Sequence, residues 1–203
     1  MSKAKTSEVI TLGTATDPVR LSFPVLEEAR AFQEGQEKKY NATALLDPSN
    51  KTHAALIKKL KDEIRKLALE AFDGKIPGDL KLCLTDNTNP DGTQKKAYTG
   101  YDKMWYLAAN NSSRPAIVDR GRNLLAPGDA NFPYAGSYVI MTITLWAQNN
   151  RYGKRINANL RGIMFVKDGE AFGRGAVNPE TEFEPIEAPD NASGVSEEDG
   201  LSF

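Results

Sequence analysis

"SYVIMTITLWAQ", residues 137–148, separates its side chains by alternation alone. Val139, Met141, Ile143 and Leu145 form one wholly apolar file, and Tyr138, Ile140, Thr142, Thr144 and Trp146 form the other. A period of two is the signature of a β-strand, so the first file belongs in a core. The second file sets two aromatic rings around short hydroxyl side chains. Such a face suits base stacking, worth about 1–3 kcal/mol per base, and it equally suits burial under a second layer or a dimer partner. The residues leave both open.

Working outward, "INANLRGIMFVKDG" (156–169) reads as the following strand and "NNRYGKR" (149–155) as the hairpin between the two. Upstream, "AYTGYDKMWYLAAN" (97–110) and "LKLCLT" (80–85) also read as strands, separated by the turn-rich "DNTNPDGTQKK" (86–96). "KKYNATALL" (38–46) places Tyr40, Ala42, Ala44 and Leu46 on one face, and "VITLGTATDPVRLSFPVL" (9–26) holds one or two short strands broken at "TDP". One helix interrupts this pattern, over about residues 51–72. It follows the capping candidates Asp47, Ser49 and Asn50 and carries an apolar stripe of Leu56, Leu60, Ile64, Leu67 and Ala71. One long helix inserted among short alternating strands predicts a mainly β fold, an OB-fold-like small barrel whose strands and loops bind nucleic acid.

Composition narrows the chemistry. The chain has 203 residues, 40% hydrophobic and 26% charged, which suits one domain with a core. No apolar run approaches the roughly 20 residues of a membrane span, and "MSKAKTSEVI" offers no signal peptide, so the expectation is a cytoplasmic protein. Cys83 and His53 stand alone in their residue classes, so one chain cannot assemble a thiolate–imidazole zinc cluster or close a disulfide, and no cofactor or metal is expected. Cys83 reads as a small buried hydrophobe, and His53 as a solvated first-turn helical residue. Asp79, Asp86 and Asp91 could hold Mg²⁺ for a nuclease, but acids in turn sequences are explained by the turns themselves. The expectation is a protein that is not an enzyme.

Net charge of -1 conceals a division. From Glu180 onward there are 8 acidic residues and no Lys or Arg, leaving 26 basic and 19 acidic residues, net +7, in the preceding body. Residues 1–178 thus read as a basic binding domain and 179–203 as a flexible acidic tail too poor in apolar surface to order itself. In the body, Tyr98, Tyr101, Trp105 and Tyr106 are interleaved with Lys95, Lys96, Lys103, Arg114, Arg120 and Arg122, and the hairpin tip carries Arg151, Tyr152, Lys154 and Arg155. Rings for bases and cations for phosphates are what a single strand requires, so these residues, with Tyr138 and Trp146, are the expected DNA contacts. Alternation puts Trp105 and Tyr106 on opposite faces, so at most one of that pair faces the ligand, and Trp105 is the expected contact.

The segments "RPAIVD" (114–119), "YAGSYV" (134–139) and the closing "GIMFVKDGE" (162–170) resemble a bacteriophage single-stranded DNA-binding protein family first catalogued as a domain of unknown function, over about residues 8–175. The resemblance implies an OB-fold, sequence-tolerant binding of single-stranded DNA, and work in phage replication or recombination. The acidic tail ending on an aromatic is similar to the tails of single-strand binders generally. On this reading Glu197, Glu198, Asp199 and Phe203 recruit a replication or recombination partner, because the last residue alone joins an apolar ring to an α-carboxylate. The same acids compete with DNA for the basic body, and their removal is expected to admit weak duplex binding. Oligomeric state, including a homo-oligomer, stays open. A phage structural or assembly protein that uses its aromatics to pack against neighbouring subunits is the rival reading.

Overall fold

In the computed structural model, residues 5–31 and 33–173 are described. The file Val139, Met141, Ile143 and Leu145 is fully buried, and it lies on β8 (Tyr138–Asn150), the strand around which the molecule closes. β8 turns at Arg151–Tyr152 into β9 (Gly153–Lys167) and pairs with it along its whole length. Its other edge takes β1 (Thr6–Leu12) and then the start of β2 (Val19–Arg30). β2 pairs with β3 (Lys39–Leu46), β3 with β6 (Trp105–Asn111), and β6 runs parallel to β9. β2, β3, β6, β9 and β8 therefore form a closed ring, five strands in an OB-like order, as the sequence predicts. Short β4 (Lys81–Leu82) and β7 (Ala116–Val118) lie along β9, and β5 (Leu84–Asp86) lies along β6.

The helix α1 (Lys51–Ala71) stands in the connection from β3 and packs across β1, β3, β8 and β9 with Ile57, Leu60, Ile64 and Leu67 buried. Asn50 caps it: its Oδ1 accepts the N–H groups of Thr52 (2.8 Å) and His53 (3.1 Å). Asp17, from the β1–β2 loop, accepts hydrogen bonds from Asn50 Nδ2 (2.8 Å) and Thr52 Oγ1 (3.0 Å), which hold its carboxyl below the usual range and tie that loop to the helix start.

Three expectations need correction. His53 is buried, because its Nδ1 accepts the Asp47 N–H (3.1 Å) and its Nε2 lies 3.2 Å from the Asp17 carbonyl; the ring joins two loops to the helix. The "LKLCLT" run is divided at Cys83 into β4 and β5, which serve different partners. Residues 97–104 do not extend β6: Gly100 (φ +80°) and Lys103 (φ +53°) turn the backbone out of the strand.

Candidate nucleic-acid interface

β6 divides the molecule into two faces. Leu107 and Ala109 pair with Ala44 and Ala42 inside the barrel, while Tyr106, Ala108 and Asn110 pair with Leu45, Thr43 and Asn41 outside it. Across the outer face the registers join into one transverse row: Tyr106 on β6, Leu45 on β3, Arg20 on β2, Tyr138 on β8 and Lys167 on β9. The Arg20 guanidinium lies 5.3 Å from the Tyr138 ring centroid and the Lys167 ammonium 4.8 Å from it, so the ring carries a cation on either strand beside it.

The loop from β5 to β6 folds over this row, and Asn87 holds it there. Its fully buried amide donates to the carbonyls of Lys96 (3.0 Å) and Tyr101 (2.8 Å) and accepts the Lys96 N–H (3.0 Å), an arrangement that fixes both the amide and the loop. The loop sets Tyr98 edge-on to Phe23 at 5.0 Å and to Tyr101 at 5.4 Å, and Tyr101 lies 5.5 Å from Tyr106. Lys96 reaches over Tyr106 at 4.6 Å and Tyr98 at 6.0 Å. Phe23 and Tyr98 are 51% and 50% exposed, so this cluster offers ring surface to solvent with a cation above it. Phe23 also holds φ +45°, strained for a non-glycine residue, at the point where Pro24 follows and the β2–β3 register shifts.

After β9 the chain crosses the same face. The Arg20 guanidinium donates to the Glu170 carbonyl (2.6 Å) and lies 4.3 Å from the Phe172 ring centroid. Gly100 and Gly136 make room for this crossing: a Cβ on Gly100 would run into the Phe172 ring, and one on Gly136 into the Glu170 carbonyl.

The predicted contacts distribute unevenly. Lys96 and Tyr98 are in the cluster, with Lys95 and Lys103 exposed on the same loop. Tyr101 is 2% exposed, which excludes it as an open stacking surface; it supports Tyr98 and Tyr106 from beneath, and burial pushes its phenol up against hydrogen bonds with Ser22 and Thr43. Trp105 faces away: it packs against the core on the α1 side, with Lys61 4.0 Å above its ring, and Tyr106 takes the outer position. Tyr138 and Trp146 do not form one platform. Eight residues of strand, about 26 Å, separate them, and Thr144 between them is 6% exposed. Arg114, Arg120 and Arg122 are exposed around β7, outside the aromatic cluster. Arg151, Tyr152, Lys154 and Arg155 sit at the β8–β9 turn, where Arg151 donates to its neighbour's Tyr152 hydroxyl (2.6 Å). Glu197, Glu198, Asp199 and Phe203 lie outside the described residues, as does the rest of the acidic tail.

Phe23, Arg20, Tyr106, Lys167, Phe172 and the anchor Asn87 are absent from the contacts the sequence predicts. "FP" inside an alternating run is the available sign for Phe23, since the residue before proline is pushed out of regular geometry. Nothing local marks Arg20 or Lys167, which meet only through Tyr138. Acids read as turn residues have that role: Asp91 accepts the Thr93 N–H (2.9 Å) and Asp86 the Thr88 N–H (2.9 Å). Among the described residues no helix is long and apolar enough to cross a membrane.

An OB-like ring with solvent-facing rings and cations across one outer face is the architecture of a nucleic-acid-binding protein. Similarity to known proteins gives the particular kind. A family model described as "Enterobacter phage Enc34, ssDNA-binding protein" matches residues 11–193. "Putative protein p50" of Acyrthosiphon pisum secondary endosymbiont phage 1 is 35% identical over 172 residues, covering 83% of this chain and 90% of that one. The single-stranded DNA-binding protein from bacteriophage Enc34 in complex with ssDNA superposes with a TM-score of 0.68 at 30% identity, over 81% of this chain and 89% of that one. A C-terminal truncation of the same phage protein gives 0.66 at 32% identity, over 81% and 88%. The chain belongs to the Enterobacter phage Enc34 ssDNA-binding protein family.

Proposed function

We propose that this protein binds single-stranded DNA without sequence preference and performs no catalysis. The observation that carries the reading is the cluster of exposed Phe23 and Tyr98 beside Tyr106, with Lys96 over two of the rings, continuing through Arg20, Tyr138 and Lys167 across the barrel. Rings stack any base because every base has a π-face, and the cations follow the phosphates. The fixed loop contributes preorganisation: Asn87 holds Tyr98 and Lys96 in place before the strand arrives. Exposed Lys95, Lys103, Arg114, Arg120, Arg122 and the Arg151–Arg155 turn extend the positive surface beyond the cluster, and Trp146 offers a further ring. The Enc34 relative solved with ssDNA supports the reading.

The finer reading concerns the tail and the setting. The acids from Glu180 onward compete with DNA for the basic body of residues 1–178, and the terminal Glu197, Glu198, Asp199 and Phe203 recruit a replication or recombination protein. A gel shift comparing oligo(dT), a duplex of equal length and RNA at two salt concentrations tests the core statement. Oligo(dT) should shift at low salt and weaken steeply at high salt. Absence of an oligo(dT) complex at low salt would sink the proposal.

A further inference from the structure

Beside the aromatic cluster, a slot of about 230 Å³ opens on the outer face between the β5–β6 loop and the chain that follows β9. Tyr98 and Thr99 of the loop line it, with Ser22 and Phe23 of β2, Ala135, and Phe172 of the crossing chain. That crossing chain holds a fixed course. The Tyr134 hydroxyl donates to the Gly169 carbonyl (2.8 Å) and accepts the Gly169 N–H (3.1 Å), and the Phe172 N–H donates to the Ala135 carbonyl (2.9 Å). The Arg20 guanidinium donates to the carbonyls of Gly136 (3.2 Å) and Glu170 (2.6 Å) and braces the Phe172 ring at 4.3 Å. Phe172 is half-buried, a placed ring with part of its surface open.

No Lys, Arg, Asp or Glu lines the slot; its walls are three aromatic rings, an alanine and two hydroxyl side chains. Cations stand at its margins instead, with Lys96 6.0 Å from the Tyr98 ring and Arg20 beside Phe172. One unit of a DNA strand has the same charge pattern, a neutral planar base with a phosphate on either side.

We propose that the slot takes one unstacked nucleobase of a single strand, held between Phe172 and the Phe23–Tyr98 pair, with the adjoining phosphates reaching Lys96 and Arg20. This rests on the reading of the outer face as a DNA surface and deepens it. Size agrees: a cavity of about 150 Å³ accepts a benzene ring, and this slot offers about 230 Å³. Ring walls meet any base by its π-face, so the slot imposes no sequence preference. A base paired and stacked in a duplex cannot enter without leaving the helix, which makes the slot a selector for single strands. The residues after β9 thereby belong to the binding surface although they lie outside the barrel's strands.

The test titrates labelled oligo(dT) and an abasic strand of equal length into full-length chains by anisotropy, with a thermal melt of each protein. Phe172→Ala should weaken oligo(dT) by about 5- to 100-fold, the worth of one stacked base, and the abasic strand by about twofold at most. Phe172→Leu, which keeps apolar bulk against Arg20 but has no ring, should weaken oligo(dT) by at least about fivefold with Tm unchanged. Rings that share one base are coupled, so Tyr98→Ala and Phe172→Ala combined should cost less than the product of their separate effects. Oligo(dT) bound equally by the unaltered and Phe172→Leu chains would assign the slot to some other ligand and overturn the proposal, leaving the DNA surface standing. Equal losses on both strands, or fully multiplicative effects of the two substitutions, would also overturn it. Failure of the unaltered chain to bind oligo(dT) would overturn both readings.

Discussion

Asn87→Ala removes the anchor of the β5–β6 loop and nothing of its exposed surface. The side chain makes three hydrogen bonds, two donated to carbonyls and one accepted from the Lys96 N–H. At about 1 kcal/mol net for each, the loss comes to about 3 kcal/mol, mostly as backbone groups left unpaired where water is excluded. The barrel core does not include this loop, so the loss should fall on local opening before global unfolding. Amide exchange at Lys96 should rise by about 100-fold, tenfold for each 1.4 kcal/mol. If the loop instead melts with the barrel, Tm should fall by roughly 6–12 °C at 2–4 °C per kcal/mol. Oligo(dT) affinity should fall by up to about 100-fold, because Tyr98 and Lys96 must then be ordered on binding at roughly 0.5–1.5 kcal/mol each. Hydrogen exchange read by NMR, a thermal melt and fluorescence anisotropy with labelled oligo(dT) measure the three quantities. Unchanged Lys96 exchange together with unchanged affinity would refute the reasoning.

Phe23→Ala and Tyr98→Ala should each cost about 1–3 kcal/mol in oligo(dT) binding with little change in Tm, whereas Trp105→Ala should lower Tm and spare binding; a reversed pattern in melts and titrations would return Trp105 to the DNA surface. Removing Arg20, Lys96 or Lys167 should lower the slope of log K against log salt by roughly 0.7 for each phosphate no longer neutralised, and an unchanged slope would take that cation off the backbone path. Deleting residues 180–203 should tighten oligo(dT) binding most at low salt and admit weak duplex binding, with the gain shrinking as the Debye length falls from about 10 Å at 0.1 M towards 3 Å at 1 M; a salt-independent gain would argue against charge competition. Cys83 is half-buried, and desolvation of its thiol pushes it up to about 12, so at pH 8 it should resist iodoacetamide until urea unfolds the chain. Rapid native alkylation at pH 8 would contradict that burial.

The strands are legible where one face is wholly core. The alternation in β8 assigns its buried core file to the residue, and the stripe Leu60, Ile64 and Leu67 locates α1, whereas β3 is buried on both faces from Asn41 to Leu46, which alternation alone does not show. What escapes depends on pairing between distant segments. The parallel β6–β9 pair that closes the ring joins strands separated by the whole of β7 and β8, and no local period encodes it. His53 looks solvated in the sequence because its two partners, Asp47 and Asp17, come from separate loops. The candidate site is half legible: the aromatic-basic composition around residues 95–106 marks the segment in which Lys96 lies over Tyr98 and Tyr106. Burial then sorts Tyr101 from Tyr98, strand face sorts Trp105 from Tyr106, and Arg20 acquires its place only by lying across the sheet from Tyr138.

Trp105 and Tyr106 are neighbours in the chain and back to back in space, so β6 is a common wall between the α1 side and the barrel's outer face. Period-two geometry makes that wall intolerant of slippage: a single-residue insertion or deletion before Leu107 would send the indole towards the barrel's outer face and the phenol towards α1. Both surfaces would fail at once. Substitutions that keep the register can alter either surface alone, so this strand should accept side-chain replacement far more readily than any change in length.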